Sequence, residues 1–306
     1  MLPHCLHRFA GRRGALVSIA ALMWAPIGRS AALSETAAKA ADSAQNVIAD
    51  VMDRLPDLPE LGLPGFAPKG SVYFYTHPKF GDLLHEDYFR LPVGARVKVG
   101  ETLELHAELD GYFTHGLRDS VGNGLYEATV GLKKECKLPY DVGASVGLDF
   151  ATPLSRPPHG ITDGLRHTVP YVTFTRAIVP DKELLGFVTF GADLLDHTDL
   201  EPDFVKNELR ANSLTFTAGV ARPWRNLNLI LKVTEGSTYF LSHLHQNAVG
   251  IRPSVGVPFL RRKDGTPRAT VTFEGRSVWG PDGYEVGITT TVRVDLRYRH
   301  DHPAKP

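Results

Sequence analysis

Residues near the end of the chain alternate strictly between two kinds of side chain. One set, apolar except for a threonine, is Tyr284, Val286, Ile288, Thr290, Val292, Val294, Leu296 and Tyr298. The other set, polar apart from a glycine, is Glu285, Gly287, Thr289, Thr291, Arg293, Asp295 and Arg297. A two-residue period indicates a β-strand with two different faces, and here it lasts roughly three times the usual strand length. Because a tilted strand of about 9–11 residues crosses a bilayer, the pattern predicts a transmembrane strand.

The same alternation recurs along most of the chain from Ser71 onward. It predicts an all-β fold, a closed antiparallel transmembrane β-barrel of about twelve strands. The strands are expected near residues 71–77, 86–99, 101–114, 121–134, 140–152, 166–178, 184–196, 212–222, 227–237, 247–259, 267–277 and 284–298. A large soluble β-sandwich also alternates, but its strands are shorter and its polar faces meet bulk water. Here several polar faces mix glycine and serine with charges, as crowded lumens do, and this favours the barrel.

The connections between the predicted strands alternate in length, which supports the same fold. Short turns are expected near residue 100 and at 135–139, 179–183, 223–226 and 260–266. Longer loops are expected at 78–85, 115–120, 153–165, 197–211, 238–246 and 278–283. Outer-membrane barrels have short periplasmic turns and longer outer loops. An even number of strands also returns both ends of the barrel to the periplasmic side.

The first seventy residues or so differ from the barrel region and contain two segments. Residues 1–32 are typical of a signal peptide, with a basic start, an apolar stretch and small residues at a cleavage site; the alternative is a single membrane anchor. Residues 33–70 are predicted to form a helical segment and a proline-rich linker, because apolar residues between 37 and 55 repeat at helical spacing before four prolines. We expect this helix to rest on the barrel or in the periplasm; the alternatives are that it plugs the lumen or joins copies into a homo-oligomer. The barrel is expected at 71–298, and residues 299–306 are expected to be a C-terminal tail.

Overall composition excludes some classes of function. Lys and Arg number 34 and Asp and Glu 34, so the formal net charge is zero and nucleic acid is not expected as a partner. Cysteine occurs only at Cys5 and Cys136. Since Cys5 lies in the predicted signal peptide, no intrachain disulfide is expected.

Over residues 71–298 the chain resembles the bacterial outer-membrane β-barrel proteins, a porin-like class. The resemblance rests on the alternating segments and on possible aromatic girdle residues, which are Tyr112, Phe113, Phe150, Tyr171, Tyr284 and Tyr298. It implies an outer-membrane location, contact with outer-membrane lipids and recognition by the barrel-insertion machinery.

Charged residues on the predicted inner face are the candidate functional residues. Early strands place acidic side chains inward, namely Glu104, Glu108, Asp110, Glu127, Asp141 and Asp149. Late strands place basic side chains inward, namely Lys232, Arg252, Arg268, Arg276, Arg293 and Arg297. Opposed charged walls would orient and filter permeating solutes, so a channel for small polar or charged solutes is the leading prediction. The alternatives are structural ion pairs that fill a narrow barrel, and a plugged structural or adhesive barrel.

Histidines raise an enzymatic alternative that the sequence favours less. Ser242, His243, His245 and Asn247 lie together in or beside a predicted outer loop, and a lipid-modifying enzyme would need such groups within hydrogen-bond reach of each other. No recognisable lipase motif surrounds them, so a polar surface loop is the preferred interpretation. Further predicted loop histidines are His85, His115, His159 and His197. No enzymatic activity, cofactor or metal is predicted.

Overall fold

The computed structural model describes residues 71–80, 89–99, 102–113, 122–156, 164–179, 183–201, 212–225, 227–241, 246–261, 267–280 and 283–297. Most of these residues lie in β-strands. The strands are β1 (Ser71–Thr76), β2 (Lys79–Phe80), β3 (Phe89–Val99), β4 (Leu103–Phe113), β5 (Asn123–Leu138), β6 (Val142–Pro153), β7 (Arg166–Val179), β8 (Leu184–Asp196), β9 (Ser213–Trp224), β10 (Leu227–Ser237), β11 (Asn247–Arg261), β12 (Pro267–Gly280) and β13 (Gly283–Arg297).

All of these strands belong to one antiparallel sheet that closes on itself. Each strand from β3 to β12 pairs with the next along the chain, and β1 pairs with both β3 and β13. The short β2 also pairs with β3 and β13, so β1 and β2 together make up one strand of the barrel. The result is a twelve-stranded barrel, and the predicted fold class and strand count are confirmed.

Side chains alternate between the two surfaces of the wall with the polar set inside. The neighbours Leu231 and Lys232 illustrate this, since Leu231 is 47% exposed and Lys232 is 7% exposed. A strand of 11 residues, such as β3, is about 36 Å long, and a tilt of about 40° gives it a height of roughly 28 Å, enough for the ~25 Å apolar band of such barrels. Closure satisfies the sheet edges, as a spanning structure requires in hydrocarbon. Among the described residues, none lies in a helix with the length and hydropathy needed to cross a bilayer.

The two ends of the barrel differ in the length of their connections. At one end, here called the turn end, β5 and β6 are joined by a tight turn in which Tyr140 and Asp141 have φ of 65° and 54°. Positive φ at successive residues is common in the tight turns of β-hairpins. The other end, here called the loop end, carries the longer connections. One predicted loop there was wrong, because β12 continues to Gly280 and β13 begins at Gly283.

Glycines on the inner face provide space for large rings on the adjacent strand. The Tyr75 ring occupies the place that a Cβ at Gly94 would need, and Tyr171 does the same at Gly147. Rings that lie over a cross-strand glycine cover its bare backbone, a known way to stabilise glycine in sheets. Tyr171 and also Tyr112 are buried in the interior, so their prediction as girdle residues was wrong, whereas Phe113 and Phe150 are exposed on the outer surface.

Several predictions fall outside the described residues. They are the signal peptide at 1–32, the helical segment and linker at 33–70, the tail at 299–306, and the side chains of Tyr284 and Tyr298.

Candidate channel interior

The inner face divides into three regions of different chemistry. Inward residues of β3–β6 form the mixed-charge wall, those of β7–β9 the hydroxyl wall, and those of β10–β13 the basic wall. In the twelve-stranded ring, β11 lies six strands from β5 and β10 lies six strands from β4. The mixed-charge wall and the basic wall therefore face each other across the barrel.

Glu104 is the centre of the mixed-charge wall near the turn end. Its Oε1 lies 3.3 Å from Arg96 Nη1 and 3.3 Å from Lys133 Nζ, which come from the strands on either side. The Tyr73 hydroxyl donates a 3.2 Å hydrogen bond to the other carboxylate oxygen. All four side chains are buried, so the desolvated charges are compensated within the wall.

A second carboxylate extends this network toward the turn end. Lys98 Nζ donates a 2.8 Å hydrogen bond to Glu135 Oε2, and Lys133 Nζ lies 3.6 Å from Glu135 Oε1. Lys133 thus bridges two carboxylates on the inner surface. Because cations are interleaved here, the early strands do not form the purely acidic wall that the sequence predicted.

Carboxylates predominate further toward the loop end of the same wall. Asp110 and Glu127 are direct cross-strand neighbours and both are buried. Glu108 Oε1 lies 3.5 Å from His77 Nε2, and Asp149 Oδ1 lies 3.5 Å from His106 Nε2. This half of the wall is where the predicted acidic surface is found.

A bulge beside Asp110 places an extra aromatic residue inside. The β4–β5 register shifts between Asp110 and Gly111, and Tyr126 is buried together with its neighbour Glu127, whereas strict alternation would place Tyr126 outside. Its ring lies 6.4 Å from the Tyr112 ring, and the Arg90 guanidinium lies 5.9 Å from the Tyr126 centroid. A β-bulge inserts one residue and so exchanges the faces of the strand locally.

Neutral hydrogen-bonding groups characterise the hydroxyl wall. The Thr173 and Thr189 hydroxyls are 2.9 Å apart, and Thr217 donates a 3.0 Å hydrogen bond to Thr234 on β10. His167 Nδ1 also lies 2.9 Å from Asp193 Oδ2 on this wall, with both side chains fully buried. This wall separates the two charged walls on one side of the barrel.

The basic wall is organised around a single described carboxylate, Glu274. Lys232 Nζ lies 2.8 Å from Glu274 Oε2, and Arg252 Nη1 lies 3.6 Å from Glu274 Oε1. Arg276 occupies the next inward position on β12, over Gly287, and the Arg293 guanidinium lies 4.1 Å from the centroid of the Tyr73 ring. Cations exceed carboxylates among the described side chains of this wall.

Most of the predicted inner-face residues lie inside, with three exceptions. Those placed inward by burial or register are Glu104, Glu108, Asp110, Glu127, Asp149, Lys232, Arg252, Arg276 and Arg293. Asp141 was predicted inward but is exposed in the β5–β6 turn, because the alternation ends where the backbone turns. Arg268 is exposed at the start of β12, and Arg297 pairs with Ser71 through its backbone while its side chain lies outside the described set.

Sequence reasoning missed residues that complete the charged networks. They are Arg96, Lys98, Lys133, Glu135 and Glu274, together with His106. Their inward alternate positions could have identified them, but the identity of their partners depends on the strand register.

The enzymatic alternative finds no arrangement to support it in the described part of the chain. Ser242, His243 and His245 lie outside that part, as do His85, His115 and His159. His197 is described, and its Nδ1 lies 2.8 Å from Glu201 Oε1 at the loop end. Over the ranges given above, no group of three or more potential ligand side chains is placed to hold a metal ion.

Several solved structures are similar to this chain in architecture. An outer-membrane channel from Pseudomonas putida F1 is similar, with a TM-score of 0.50 and 10% identity over 76% of this chain and 98% of that chain. This chain has the fold of an outer-membrane β-barrel. The NanC porin gives a TM-score of 0.49 and 11% identity over 74% of this chain and 98% of that chain. The KdgM porin in complex with disordered oligogalacturonate gives a TM-score of 0.46 and 9% identity over 75% of this chain and 99% of that chain. No family model and no curated protein matches the sequence.

Proposed function

We propose that this protein is a passive channel for small polar or charged solutes in a Gram-negative-type outer membrane. The observation that carries the proposal is the distribution of side chains on a closed barrel, with apolar residues outside and hydroxyl, acidic and basic residues inside. Such an interior can replace part of the hydration of a solute that no hydrocarbon layer would admit.

The charge distribution suggests how passage would be tuned. Glu108, Asp110 and Asp149 lie on the mixed-charge wall, while Arg252 and Arg276 lie on the wall opposite. Opposed potentials produce a field across the lumen that orients dipolar solutes and discriminates between ions. We therefore assign selectivity to these two walls, and not to the hydroxyl wall between them.

Two adjacent threonines allow a direct test of the water-filled path. Thr289 faces the interior opposite Glu274, and Thr290 faces outward opposite Phe273. Each would be replaced by cysteine in a background with Cys5→Ser and Cys136→Ser, and the refolded protein would be recorded in a planar bilayer. Addition of a charged, water-soluble methanethiosulfonate should reduce the current of Thr289→Cys and leave Thr290→Cys unchanged.

The matched pair makes the outcome decisive because the two variants carry the same chemical change. Absence of conductance steps in the unmodified protein would reject the channel. Equal sensitivity of the two variants would reject the assignment of the inner face as the conducting path.

A further inference from the structure

A cluster of cations lies on the outer surface of the barrel at the turn end, where the interior networks do not reach. Arg176 on β7 and Arg222 on β9 are exposed on the outward face, since Thr173, three residues before Arg176, and Ala221, next to Arg222, are buried inside. Arg225 follows in the β9–β10 turn, with its guanidinium 5.1 Å from the centroid of the Trp224 ring. These three arginines with Trp224 are here called the turn-end patch.

The outer surface between the two outward arginines is aliphatic. Gly186 of β8 pairs with Arg176 on one side and with Val220 on the other, two residues from Arg222. Having no side chain, Gly186 gives room to Ile178, whose terminal carbons lie where a Cβ of Gly186 would be. Ile178 is itself more than half exposed, so an aliphatic surface lies between the arginines.

Charges at the loop end of the outer surface have a different balance. Arg166 Nη1 lies 3.4 Å from Asp196 Oδ2, and Glu235 faces outward on β10. At the turn end, the described carboxylates near the patch are the exposed Glu183 and Asp141, both located in turns. Positive charge therefore predominates on the outer surface at the turn end, where Lys134 also faces outward with an exposed side chain.

We propose that the turn-end patch binds the head group of an anionic phospholipid in the adjacent membrane leaflet. The guanidinium groups match a phosphate in geometry and charge, and their stems can lie along apolar surface while the heads reach the interface. The exposed Ile178 side chain, which covers Gly186 between the arginines, would contact the acyl chain. Indole rings favour the same interfacial depth, which fits Trp224. This inference requires that the barrel spans a bilayer, not that it conducts.

The two tryptophans of the barrel provide a built-in reporter and its control. Trp224 marks the turn end and Trp279, near the end of β12, marks the loop end. Full-length protein with Trp24→Phe and Trp279→Phe keeps only Trp224, and the companion with Trp24→Phe and Trp224→Phe keeps only Trp279. Each would be reconstituted in phosphatidylcholine vesicles containing equal fractions of dibrominated phosphatidylglycerol or dibrominated phosphatidylcholine, and fluorescence quenching would be compared.

We expect Trp224 to select brominated phosphatidylglycerol over brominated phosphatidylcholine by about fivefold or more in relative binding constant. Trp279 should show a ratio near one. Combining Arg176→Gln, Arg222→Gln and Arg225→Gln should bring the Trp224 ratio close to one, whereas Arg166→Gln should leave it unchanged. Raising the salt concentration should reduce the preference, because the interaction is electrostatic.

Other outcomes would overturn the assignment. Equal quenching of Trp224 by the two lipids, or a preference that survives the triple substitution, would reject the patch as a lipid site. Protection of Trp224 by polyglutamate without any lipid preference would assign the surface to an acidic protein instead. Heat-modifiable gel mobility, measured on every variant, separates these results from a failure to fold.

Discussion

The charge selectivity of the channel should depend strongly on Glu274. Among the described side chains of the basic wall, Glu274 is the one carboxylate, and it contacts both Lys232 and Arg252. The substitution Glu274→Gln keeps the shape of the side chain and removes its negative charge. We expect the lumen of this variant to become more selective for anions.

The size of the change can be estimated from Coulomb's law. A unit charge about 6 Å from an ion in water contributes roughly 0.7 kcal/mol. That energy changes the partition of a monovalent anion by about threefold and that of a cation by the same factor in the opposite direction. The ratio of anion to cation permeability should therefore rise about tenfold. Salt must stay near or below about 0.1 M, where the screening length is about 10 Å.

Reversal potentials in a potassium chloride gradient across a planar bilayer measure this ratio. Asp196→Asn is the matched control, because it makes the same change in net charge at an exposed ion pair with Arg166 on the outer surface. The control should retain the selectivity of the unmodified protein. Equal shifts in the two variants, or no shift in Glu274→Gln, would refute the role given to the basic wall.

Further predictions concern packing and lipid exposure. Gly94→Ala should destabilise the barrel by about 1–3 kcal/mol because its Cβ meets the Tyr75 ring, while Gly275→Ala, with 3.6 Å to its nearest contact, should cost little. Urea unfolding in vesicles measures both, and similar losses would disprove the ring-over-glycine explanation. Leu231→Arg should cost about 2–4 kcal/mol in the lipid-facing belt, whereas Leu260→Arg, one residue from the turn-end limit of β11, should cost about 0–1 kcal/mol. The same unfolding assay would contradict the membrane placement if the two costs were equal.

Most of the barrel could be predicted from the sequence because alternation reports directly on which side of a wall a residue faces. The predicted strand at 184–196 has the bounds of β8, and the one at 227–237 has the bounds of β10. Alternation does not mark the point where a strand turns, so Asp141 was counted on the inner face although it belongs to a turn. Nor does it detect a bulge, so strict alternation would place Tyr126 outside although it is buried beside the inward Glu127.

The detailed chemistry of the interior could not be predicted because it depends on register. Tyrosine is a common residue of membrane girdles, but the Tyr171 ring lies inside the barrel, over Gly147 of the adjacent strand. Similarly, Glu104 and Lys133 stand directly opposite each other and become partners only when β4 and β5 are aligned. A list of inward charges gives the sign of each residue but not which charges neutralise each other.

The ladder that joins the first and last strands has a consequence for the order of assembly. β13 pairs with β1 from Ser71 to Thr76 and with β2 through Lys79, while its ladder with β12 runs from Ala269 to Gly280. Hairpin contacts between consecutive strands bring together nearby residues, whereas this seam must bring together the two extremes of the barrel and so carries the largest loss of chain entropy. We therefore expect the pairing of β1 with β13 to form last. The rate of a slow final folding step should then be more sensitive to substitutions in this pairing than to substitutions elsewhere in the barrel.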